Sequence, residues 1–511
     1  MSGVRGRAFS LWQAAEARLD RAFGPASNPL RRLGALAFLL FWVVAATGIY
    51  LYVFLDTSVA GAWASVDAIS RGHWGVGGLV RGMHRYGADA LVVVTFAHTL
   101  RELLARHAHG FRWFSWLSGV PLVVLLYASG IGGYWLAWDE LSLFSATATA
   151  EWIDWLGLTL EPFARNFATR DLVIDRLFTL FIFLHIGIPL ALLLWMWVHV
   201  QRVSRPDTYP SRELTIGTLA SLAALALVAP VQSHAPADLA KVPATLAPDW
   251  FFLFPHPLMY ATSPEGLWWM ATGALLLLLA TPWLDRAPRL PVAVVSPQDC
   301  NGCGRCFVDC PYSAIVMVPH TGKANAPRMA EVKASLCAGC GICAGSCPSS
   351  TPFRGDETFA SGIDIPGREV AALRAQLKAA LAREPSCIVV FGCDQQQGSG
   401  VLHAPGVAML GFACTGMLPP SFVEFALRSG ALGVLVTGCA PGGCEYRLGQ
   451  RWTEERLAGA REPHLRANVP GERVRVAWSA GGSPADLQRE IAAFRATLVD
   501  VDQHAKGRSA V

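Results

Sequence analysis

Apolar residues are concentrated in the first part of the chain, where they form six long runs. A helix needs about 20 apolar residues to cross a bilayer, and each run comes close to that length. Residues 285–511 have the composition of an ordinary soluble protein. The pattern therefore predicts six transmembrane helices followed by a soluble half, with spans near 33–54, 87–104, 116–137, 176–200, 214–232 and 266–284.

Composition supports this division. Hydrophobic residues make up 53% of the chain and charged residues 16%, and the mean hydropathy is positive, unlike that of a typical soluble protein. The net charge is only +4 and no Lys/Arg-rich tract occurs, so nucleic acid is not an expected partner. All 13 cysteines lie at or after Cys300. Their repeated Cys-x-x-Cys spacing indicates metal clusters in a reducing compartment, not a secreted disulfide framework.

The charges between the apolar runs predict an orientation. Residues 1–32 form a basic, amphipathic segment, and the loop after the second run carries Arg101, Arg106 and Arg112. The loop after the third run is acidic. By the positive-inside rule, the N-terminus is predicted to lie in the cytoplasm. Six spans would place the soluble half there too, so we expect a multi-pass protein of the cytoplasmic (inner) membrane.

Two predicted spans carry pairs of histidines, His84 and His98 in the second, His185 and His199 in the fourth. The members of each pair are 14 residues apart, which is nearly four helical turns and a rise of about 21 Å. Histidines inside membrane segments are usually functional. Two such helices facing each other would hold two haems, each with two imidazole ligands. The alternative is that these are core or interfacial histidines.

Glycines repeat the same step of 14 residues in the first and third spans. Glycine lets a flat macrocycle approach the backbone closely, so these residues are predicted to provide clearance for the haems. Small-residue helix packing is the alternative explanation. The four glycines are Gly34, Gly48, Gly119 and Gly133.

Residues of the second span and the segment before it resemble the N-terminal cytochrome b of quinol-oxidising bc complexes. The resemblance rests on Ser65–Ile69, Leu79–His84 and His98–Arg101, and it covers roughly residues 30–205. It implies that the first histidines of the two helices share an outer haem and the second ones an inner haem. The implied pairs are His84 with His185 and His98 with His199, and Arg81 and Arg101 match arginines that neutralise haem propionates.

A loop after the fifth span resembles the Pro-Glu-Trp-Tyr motif of the outer quinol site in the same family. Here the motif is Pro-Asp-Trp-Phe over residues 248–251. The resemblance makes Asp249 the candidate acceptor of a quinol proton. Its carboxylate is one methylene shorter than the family's, and Phe251 replaces a tyrosine. The sequence leaves open whether Asp249 has this role or only caps a turn.

The soluble half begins with two Cys-x2-Cys-x2-Cys-x3-Cys-Pro runs that resemble bacterial ferredoxins with two 4Fe–4S clusters. In that arrangement three cysteines of one run hold a cluster and the fourth comes from the other run. A structural zinc site, the alternative, needs only four cysteines. The predicted sets are Cys300, Cys303, Cys306 and Cys347 for cluster one, and Cys337, Cys340, Cys343 and Cys310 for cluster two.

An α/β pattern follows. It comprises a linker helix over 361–383, strands over 387–391, 432–437 and 473–478, and helices over 419–429 and 484–498. Glycine-flanked cysteines lie where strands give way to loops, which suits a 2Fe–2S cluster, with zinc as the weaker alternative. The predicted ligands are Cys393, Cys414, Cys439 and Cys444, whereas Cys387 is predicted to be a buried strand residue.

Residues 385–460 resemble the delta subunit of methyl-viologen-reducing hydrogenase, chiefly through the Cys-x-Pro-Gly-x-Cys-x-Tyr run over 439–446. That family usually has a second cysteine three residues after the first, where this chain has Gln396. The resemblance implies a link between a hydrogenase or formate dehydrogenase and a heterodisulfide reductase-type flavoprotein.

The expected fold is therefore multidomain: an all-α transmembrane bundle of six spans, a small α+β ferredoxin domain and a C-terminal α/β domain. The expected boundaries are an N-terminal segment over 1–32, a dihaem four-helix bundle over 33–205, two further transmembrane helices over 206–290, the ferredoxin domain over 291–360 and the delta subunit-like domain over 361–511.

Together these features predict a membrane electron-transfer subunit of a quinone-linked oxidoreductase complex. Two haem b groups, two 4Fe–4S clusters and one 2Fe–2S cluster would connect a soluble flavoprotein, dehydrogenase or hydrogenase subunit with quinone in the lipid. The alternative is a membrane anchor or docking module of a similar complex without its own quinone chemistry. The sequence predicts a hetero-oligomer and leaves open its dimerisation, the direction of electron flow and whether the chain is itself an enzyme.

Overall fold

The chain folds into two compact units. This computed structural model describes residues 4–72, 75–158, 160–167, 169, 172–201, 206–241, 245–284, 291–320, 326–353, 360–394, 405–439, 443–478 and 484–508. The first unit is formed by Met1–Trp12, Ser27–Gln201 and Pro206–Arg286, and the second by Ala287–Val511 with Gln13–Ala26. Position Gln396 lies outside the described residues.

The first unit is helical. Each of the six apolar runs lies on a helix, and shorter helices connect them. The helices are α1 (Val4–Phe23), of which only the part up to Trp12 belongs to this unit, α2 (Leu33–Phe54), α3 (Ala62–Arg71), α4 (Val76–Leu104), α5 (Trp113–Trp135), α6 (Glu140–Asp154), α7 (Asp175–Val200), α8 (Arg212–Val228), α9 (Pro255–Ala261) and α10 (Pro264–Leu284).

Two tight helix pairs form the centre of this unit: α2 packs against α4, and α5 packs against α7. Helix α8 covers another side of α4, and α10 packs against α5. A shared core of apolar side chains, including Leu40, Leu91, Leu126 and Leu192, joins the pairs. Because α4 and α7 carry the histidines and α2 and α5 carry the glycines, each pair combines one histidine helix with one glycine helix.

Four helices of the described chain are long and apolar enough to cross a membrane. They lie over Leu33–Phe54, Gly110–Trp135, Asp175–Val200 and Pro264–Leu284. The other two predicted spans correspond to α4, which carries charged residues along its 29 residues, and α8, which has 17 residues. The count of six crossings stays a prediction.

The second unit begins with two similar halves, each built as a strand, a cysteine run, a short helix and another strand. The first half contains β1 (Val294–Val295), α11 (Arg305–Asp309) and β2 (Ile315–Pro319). The second half contains β3 (Arg328–Val332), α12 (Ile342–Ser346) and β4 (Ile363–Asp364). Strand β1 pairs with β4 and β2 with β3, both antiparallel, so the two halves interlock.

The rest of the second unit is a parallel sheet of four strands in the order β6-β5-β7-β8, covered by helices. Helix α13 packs with β6, and α14 packs with β7, while residues of α16 such as Ile491 and Phe494 pack on side chains of β5 and β7 that point the other way. The elements are α13 (Val370–Arg383), β5 (Ile388–Cys393), β6 (Val407–Phe412), α14 (Ser421–Arg428), β7 (Gly433–Gly438), α15 (Gly449–Leu457), β8 (Val474–Trp478) and α16 (Pro484–Arg508).

Three details of the predicted α/β pattern were wrong. The linker helix begins only at Val370, because Ile363 and Asp364 pair with β1 as a strand. Strand β6 and helix α15 were missed. The β6 sequence, Val-Ala-Met-Leu-Gly-Phe, contains a glycine that weakens its strand signal, and α15 is mostly polar, so neither has a strong local pattern.

Close packing of α4 on α8 gives a testable prediction. A Cβ added at Gly82 would lie 2.5 Å from Ala226 Cβ, whereas at Gly217 it would meet nothing within 4 Å. Overpacking costs typically about 1–3 kcal/mol. We therefore expect Gly82→Ala to lower the thermal stability of the detergent-solubilised protein, and Gly217→Ala on α8 to leave it unchanged or raised. Equal melting temperatures for the two variants would contradict this packing.

Candidate functional site

Each predicted haem-ligating histidine faces one of the predicted glycines on the paired helix. A Cβ on Gly133 would lie 2.8 Å from His185 Cε1, and one on Gly48 would lie 3.0 Å from His84 Cε1. The same one-to-one match holds for the other two, at 3.3 Å between Gly119 and His199 and 3.8 Å between Gly34 and His98. The glycines thus leave room for the imidazole rings themselves.

Hydrogen bonds orient the outer pair of rings. His84 Nδ1 lies 3.0 Å from the Val44 carbonyl oxygen, and His185 Nδ1 lies 3.0 Å from the Ser129 carbonyl oxygen. Because a carbonyl can only accept, each Nδ1 must carry the proton and donate it. Each Nε2 then keeps a free lone pair, the form that a metal binds. The two ring centroids are 6.3 Å apart.

The other two histidines, the predicted inner pair, have side-chain neighbours. His199 Nδ1 lies within hydrogen-bond distance of the Ser118 hydroxyl, at 3.0 Å, and a carboxylate oxygen of Glu102 lies 4.0 Å from His98 Nδ1. Glu102 also contacts His107 Nδ1 at 2.6 Å and Arg101 at 3.1 Å. The sequence reading missed Glu102, although its position four residues after His98 on one helix face was the available signal.

The two predicted propionate-binding arginines lie near opposite ends of α4. Arg81 donates to the hydroxyls of Ser70, at 2.5 Å, and Ser233, at 2.9 Å. Arg101 contacts Glu102 in the cluster just described. Both arginines therefore lie on the histidine helix, within three residues of His84 and His98 respectively. At these positions they could pair with the propionates of a bound haem.

Asp249 has protein partners on both of its carboxylate oxygens. Oδ1 accepts hydrogen bonds from the backbone amides of Phe251, at 3.0 Å, and Phe252, at 2.8 Å, and Oδ2 pairs with Arg85. Arg85 also pairs with Asp89. Asp249 therefore caps a turn, as the alternative reading anticipates, and belongs to a charged cluster whose members Arg85 and Asp89 the sequence reading did not identify.

The eight cysteines of the ferredoxin-like runs surround two cavities. One cavity is lined by Cys310, Cys337, Cys340 and Cys343. The other is lined by Cys300, Cys303, Cys306 and Cys347. The structure thus brings together both predicted sets, with one thiol exchanged between the runs.

The backbone at these cavities depends on glycine. Gly304 and Gly341 immediately precede the short helices that carry Cys306 and Cys343, and both have a positive φ, at 73° and 75°. Residues with a Cβ rarely adopt this conformation. Backbone amides also donate to two thiols of one cavity, from Gly339 to Cys337 Sγ at 3.5 Å and from Ala314 to Cys310 Sγ at 3.3 Å.

The electrostatics of the cavities disfavour bare thiolates. Burial, followed by the neighbouring thiols of Cys347 and Cys303, raises the pKa of Cys306 to about 12. Burial also raises the pKa of Cys343 well above its usual value, and the nearby Cys340 and Cys337 raise it further. Crowded buried thiols resist ionisation unless positive charge compensates. Iron would supply that charge, so the donor set fits iron–sulfur clusters.

The third cysteine set, Cys393, Cys414, Cys439 and Cys444, lies at the carboxyl end of the strands of the parallel sheet. Cys393 ends β5, Cys414 follows β6 by two residues, and Cys439 follows β7 directly. The carboxyl ends of parallel strands lie at the same end of the sheet, so the three thiols are brought close together. Cys393 Sγ and Cys439 Sγ are 3.8 Å apart. The backbone of Gly449 lies against both Cys414 and Cys444, which completes the predicted set of four.

Cys387, the fifth cysteine of this region, is buried in the apolar core next to Phe391 and Val389. It precedes β5, at the strand end opposite the cysteine set. Its position agrees with the prediction of a buried structural residue. Within the described residues, no group of three or more His, Cys, Asp or Glu side chains is close enough together to bind a single metal ion, so the thiols of each cysteine set are spaced more widely than around one ion.

Three family models match this chain, in the order that the sequence predicts. Residues 23–205 match Cytochrome b/b6/petB, residues 299–351 match the 4Fe-4S dicluster domain, and residues 388–501 match Methyl-viologen-reducing hydrogenase, delta subunit. The three resemblances are confirmed.

Curated relatives of the N-terminal half are named cytochrome b. The protein of Rhodospirillum rubrum is 26% identical over 287 residues, covering 50% of this chain and 70% of the relative. That of Allochromatium vinosum is 26% identical over 310 residues, covering 50% and 72%. A chain of the solved structure titled Hyperthermophilic respiratory Complex III is 21% identical, with a TM-score of 0.41, covering 50% of this chain and 76% of that chain. That score is too low to support an inference.

The glycine–histidine match predicts a graded response to added methyl groups. Gly133→Ala places a Cβ only 2.8 Å from its histidine, whereas Gly34→Ala leaves 3.8 Å. We expect Gly133→Ala to displace the imidazole and weaken haem retention by about tenfold or more, and Gly34→Ala to have little effect. Reduced-minus-oxidised spectra and haem content measure this.

Gly187→Ala on α7 is the matched control, because a Cβ there meets nothing within 4 Å. If all four glycine variants lost haem equally, clearance for a macrocycle, and not for the imidazoles, would be the role of the glycines.

Proposed function

We propose that this membrane electron-transfer protein, with its cytochrome b and iron–sulfur segments, is a subunit that passes electrons between a soluble cytoplasmic flavoprotein and membrane quinone. The proposed route runs from the third cysteine set through the two ferredoxin-like sets to the inner histidine pair. From there electrons reach quinone or the outer histidine pair. A reduced flavin would release its two electrons singly, and quinone would take up two electrons and two protons.

The observation that carries this proposal is the arrangement of thiols and imidazoles on one chain. Three converging cysteine sets lie in one compact unit, and four oriented imidazoles lie in a helical unit of the same chain. A protein that used its clusters only for stability would not need free Nε2 lone pairs in an apolar bundle. The haem ligands proposed are His84 with His185 and His98 with His199.

The proposal includes six membrane crossings with both ends of the chain in the cytoplasm. Helix α4 has 29 residues and α8 has 17, and about 17 residues suffice to cross a bilayer. With the N-terminus inside, α4 and α7 both end on the inner side. His98 and His199 then lie nearest the cytoplasmic partner. The five proposed domains are those expected from sequence, except that the ferredoxin domain extends to Asp364, because β4 pairs with β1.

The cluster assignment follows from the three cysteine sets. Two 4Fe–4S clusters would be held in the two cavities, and a 2Fe–2S cluster by Cys393, Cys414, Cys439 and Cys444 at the sheet edge. The likeness to a hydrogenase delta subunit favours a flavoprotein, hydrogenase or dehydrogenase subunit as the neighbour in a hetero-oligomeric complex of the cytoplasmic membrane.

A second candidate function is a membrane anchor or docking module whose clusters transfer no electrons to the haems. The Asp249 geometry favours it in one respect, because the carboxylate that would accept a quinol proton is already bound by Arg85 and two backbone amides. Redox titration separates the candidates, since haems that never equilibrate with the clusters would support the anchor.

Removing the inner haem tests the route. In the full complex, His98→Ala combined with His199→Ala should abolish reduction of the haems by the soluble donor, because the inner pair is the proposed entry point. Stopped-flow absorbance of the b-type haem band measures this. Matched removal of the outer pair, His84→Ala with His185→Ala, should leave inner haem reduction intact. Haem reduction that persists without the inner pair would refute the route.

Asp249 tests the outer quinone site separately. Asp249→Asn keeps an oxygen that can accept from Phe251 and Phe252 but loses the charge that pairs with Arg85. If Asp249 is the proton acceptor, quinol-dependent haem reduction should fall by about 10²- to 10⁴-fold while the haem spectra stay unchanged. Asp89→Asn, which removes the other carboxylate paired with Arg85, is the control. Unchanged rates in the Asp249 variant would leave Asp249 as a turn cap.

A further inference from the structure

Asp309 and Ser346 occupy the same position in the two cysteine runs, each directly before the fourth cysteine. Both side chains are buried, and the Ser346 hydroxyl donates to Asp309 Oδ2 at 2.7 Å. A bacterial ferredoxin module alone would expose such positions or pack them with its own residues. Here they meet a helix of the C-terminal domain.

Arg456 of α15 binds both positions at once. Its Nη2 lies 2.6 Å from Asp309 Oδ2 and 2.5 Å from Ser346 Oγ, while Nη1 donates to the Gly416 carbonyl oxygen at 2.8 Å. The side chain is only 1% exposed. One planar guanidinium thus connects both cysteine runs with the loop that follows Cys414.

Neighbouring residues complete the charge balance. Arg461 donates to Asp309 Oδ1 at 2.6 Å and to Glu455 Oε2 at 2.7 Å, and its guanidinium lies 3.4 Å from the centre of the Trp452 ring. Trp452 Nε1 donates to the Asp309 carbonyl oxygen at 3.1 Å. Arg456 and Arg461 therefore both have carboxylate partners in this buried contact.

Beside Cys340 and Cys343, the backbone of the second cysteine run also lies close to the loop that follows Cys414. A Cβ on Gly341 would lie 2.6 Å from Met417 Sδ, and a Cβ on Gly345 would overlap the Gly416 carbonyl oxygen. Ile342, between the two cysteines, is fully buried and lies 3.6 Å from the position of a Cβ on Gly449. That Gly449 position overlaps Cys414 Sγ and is 3.6 Å from Cys444 Sγ.

The set of Cys300, Cys303, Cys306 and Cys347 is less covered. Cys303 is exposed, whereas Cys340 and Cys343 of the other set are buried. The adjacent Phe307 and Val308 on α11 are about half exposed, at 49% and 54%. The site of Cys310, Cys337, Cys340 and Cys343 therefore abuts the third cysteine set, and the other site has an exposed cysteine.

Arg456 also has a spare donor. Its Nε has no hydrogen-bond partner among the described residues although it is buried. A buried N–H without an acceptor is costly unless a bound group supplies one. The sulfur atoms of a cluster held by the third set would be acceptors of that kind, because Cys414 follows β6 immediately before the loop that Arg456 binds.

We propose that Arg456 is a positioning residue that locks the cluster site of Cys310, Cys337, Cys340 and Cys343 against the third cysteine set. Electrons then pass in the order third set, this site, and the site of Cys300, Cys303, Cys306 and Cys347. In each step one centre loses one electron and the next gains it, and no proton moves. The first electron comes from the reduced flavoprotein of the proposed function, on which this inference rests.

Low-temperature electron paramagnetic resonance of the dithionite-reduced full chain tests the order. Two adjacent reduced clusters couple magnetically and broaden each other's signals. We expect this coupling for the third centre in the wild type, its persistence in Cys303→Ala and its loss in Cys340→Ala. Coupling that survives Cys340→Ala but disappears in Cys303→Ala would overturn the order.

Variants of Arg456 test the positioning role without removing a ligand. Arg456→Gln should weaken the coupling and slow oxidation of the third centre by about 10- to 100-fold in rapid-freeze experiments, with iron content unchanged. Arg456→Lys should rescue it only in part, because an ammonium cannot bridge the same three acceptors. Arg451→Gln, on the exposed side of α15, is the matched control.

Iron and acid-labile sulfide analysis distinguishes failure of the proposed function from failure of the positioning role of Arg456. A wild-type chain that assembles no clusters would refute the proposed function itself. Full clusters with coupling that is indifferent to Arg456→Gln would refute only the positioning role.

Discussion

Close approach of backbones at glycine is the constraint on which both units depend. In the membrane unit, four glycines on α2 and α5 leave room for four imidazoles on α4 and α7. In the second unit, Gly341, Gly345 and Gly449 let the cysteine runs approach the sheet edge. A larger side chain at these positions would separate the histidines and cysteines that are predicted to bind metal. Electron transfer needs its centres held at short, fixed distances. Because glycine has no side chain, the backbones can approach closely without displacing polar contacts.

Rigidity comes from the groups that surround these glycines. His84 and His185 are oriented by backbone carbonyl oxygens of the paired helix, each of which accepts the Nδ1 proton, so the rings keep one tautomer. Asp309 and Arg456 do the equivalent work in the second unit, where loss of one partner of a buried ion pair typically costs about 3–5 kcal/mol. Both arrangements bind residues distant in sequence, and both lie directly beside metal-binding side chains.

The sequence predicted which cysteines and histidines the fold would bring together, but not all of the elements that hold them. Cysteine and histidine spacing is a chemical signal, because a cubane or a stacked haem pair demands particular intervals whatever the surrounding fold. Strand β6 and helix α15 carry no such signal, and both were missed. Glu102, Arg85 and Arg456 were missed as well, since a single charged residue has no period. Asp249 was identified by its motif, but the motif did not reveal that Arg85 occupies its carboxylate.

By itself the sequence determined the order of the parts: a cytochrome b segment, a dicluster segment and a delta subunit-like segment, with the cysteines and histidines that could hold their cofactors. These are properties of local spacing, and local spacing survives in any fold. Only the tertiary structure decided which helices pair, which glycine faces which histidine and which cysteine cavity lies beside the third set. Those contacts join residues 40 to more than 100 positions apart, such as Val44 with His84 and Asp309 with Arg456. They depend on packing that no window of sequence contains.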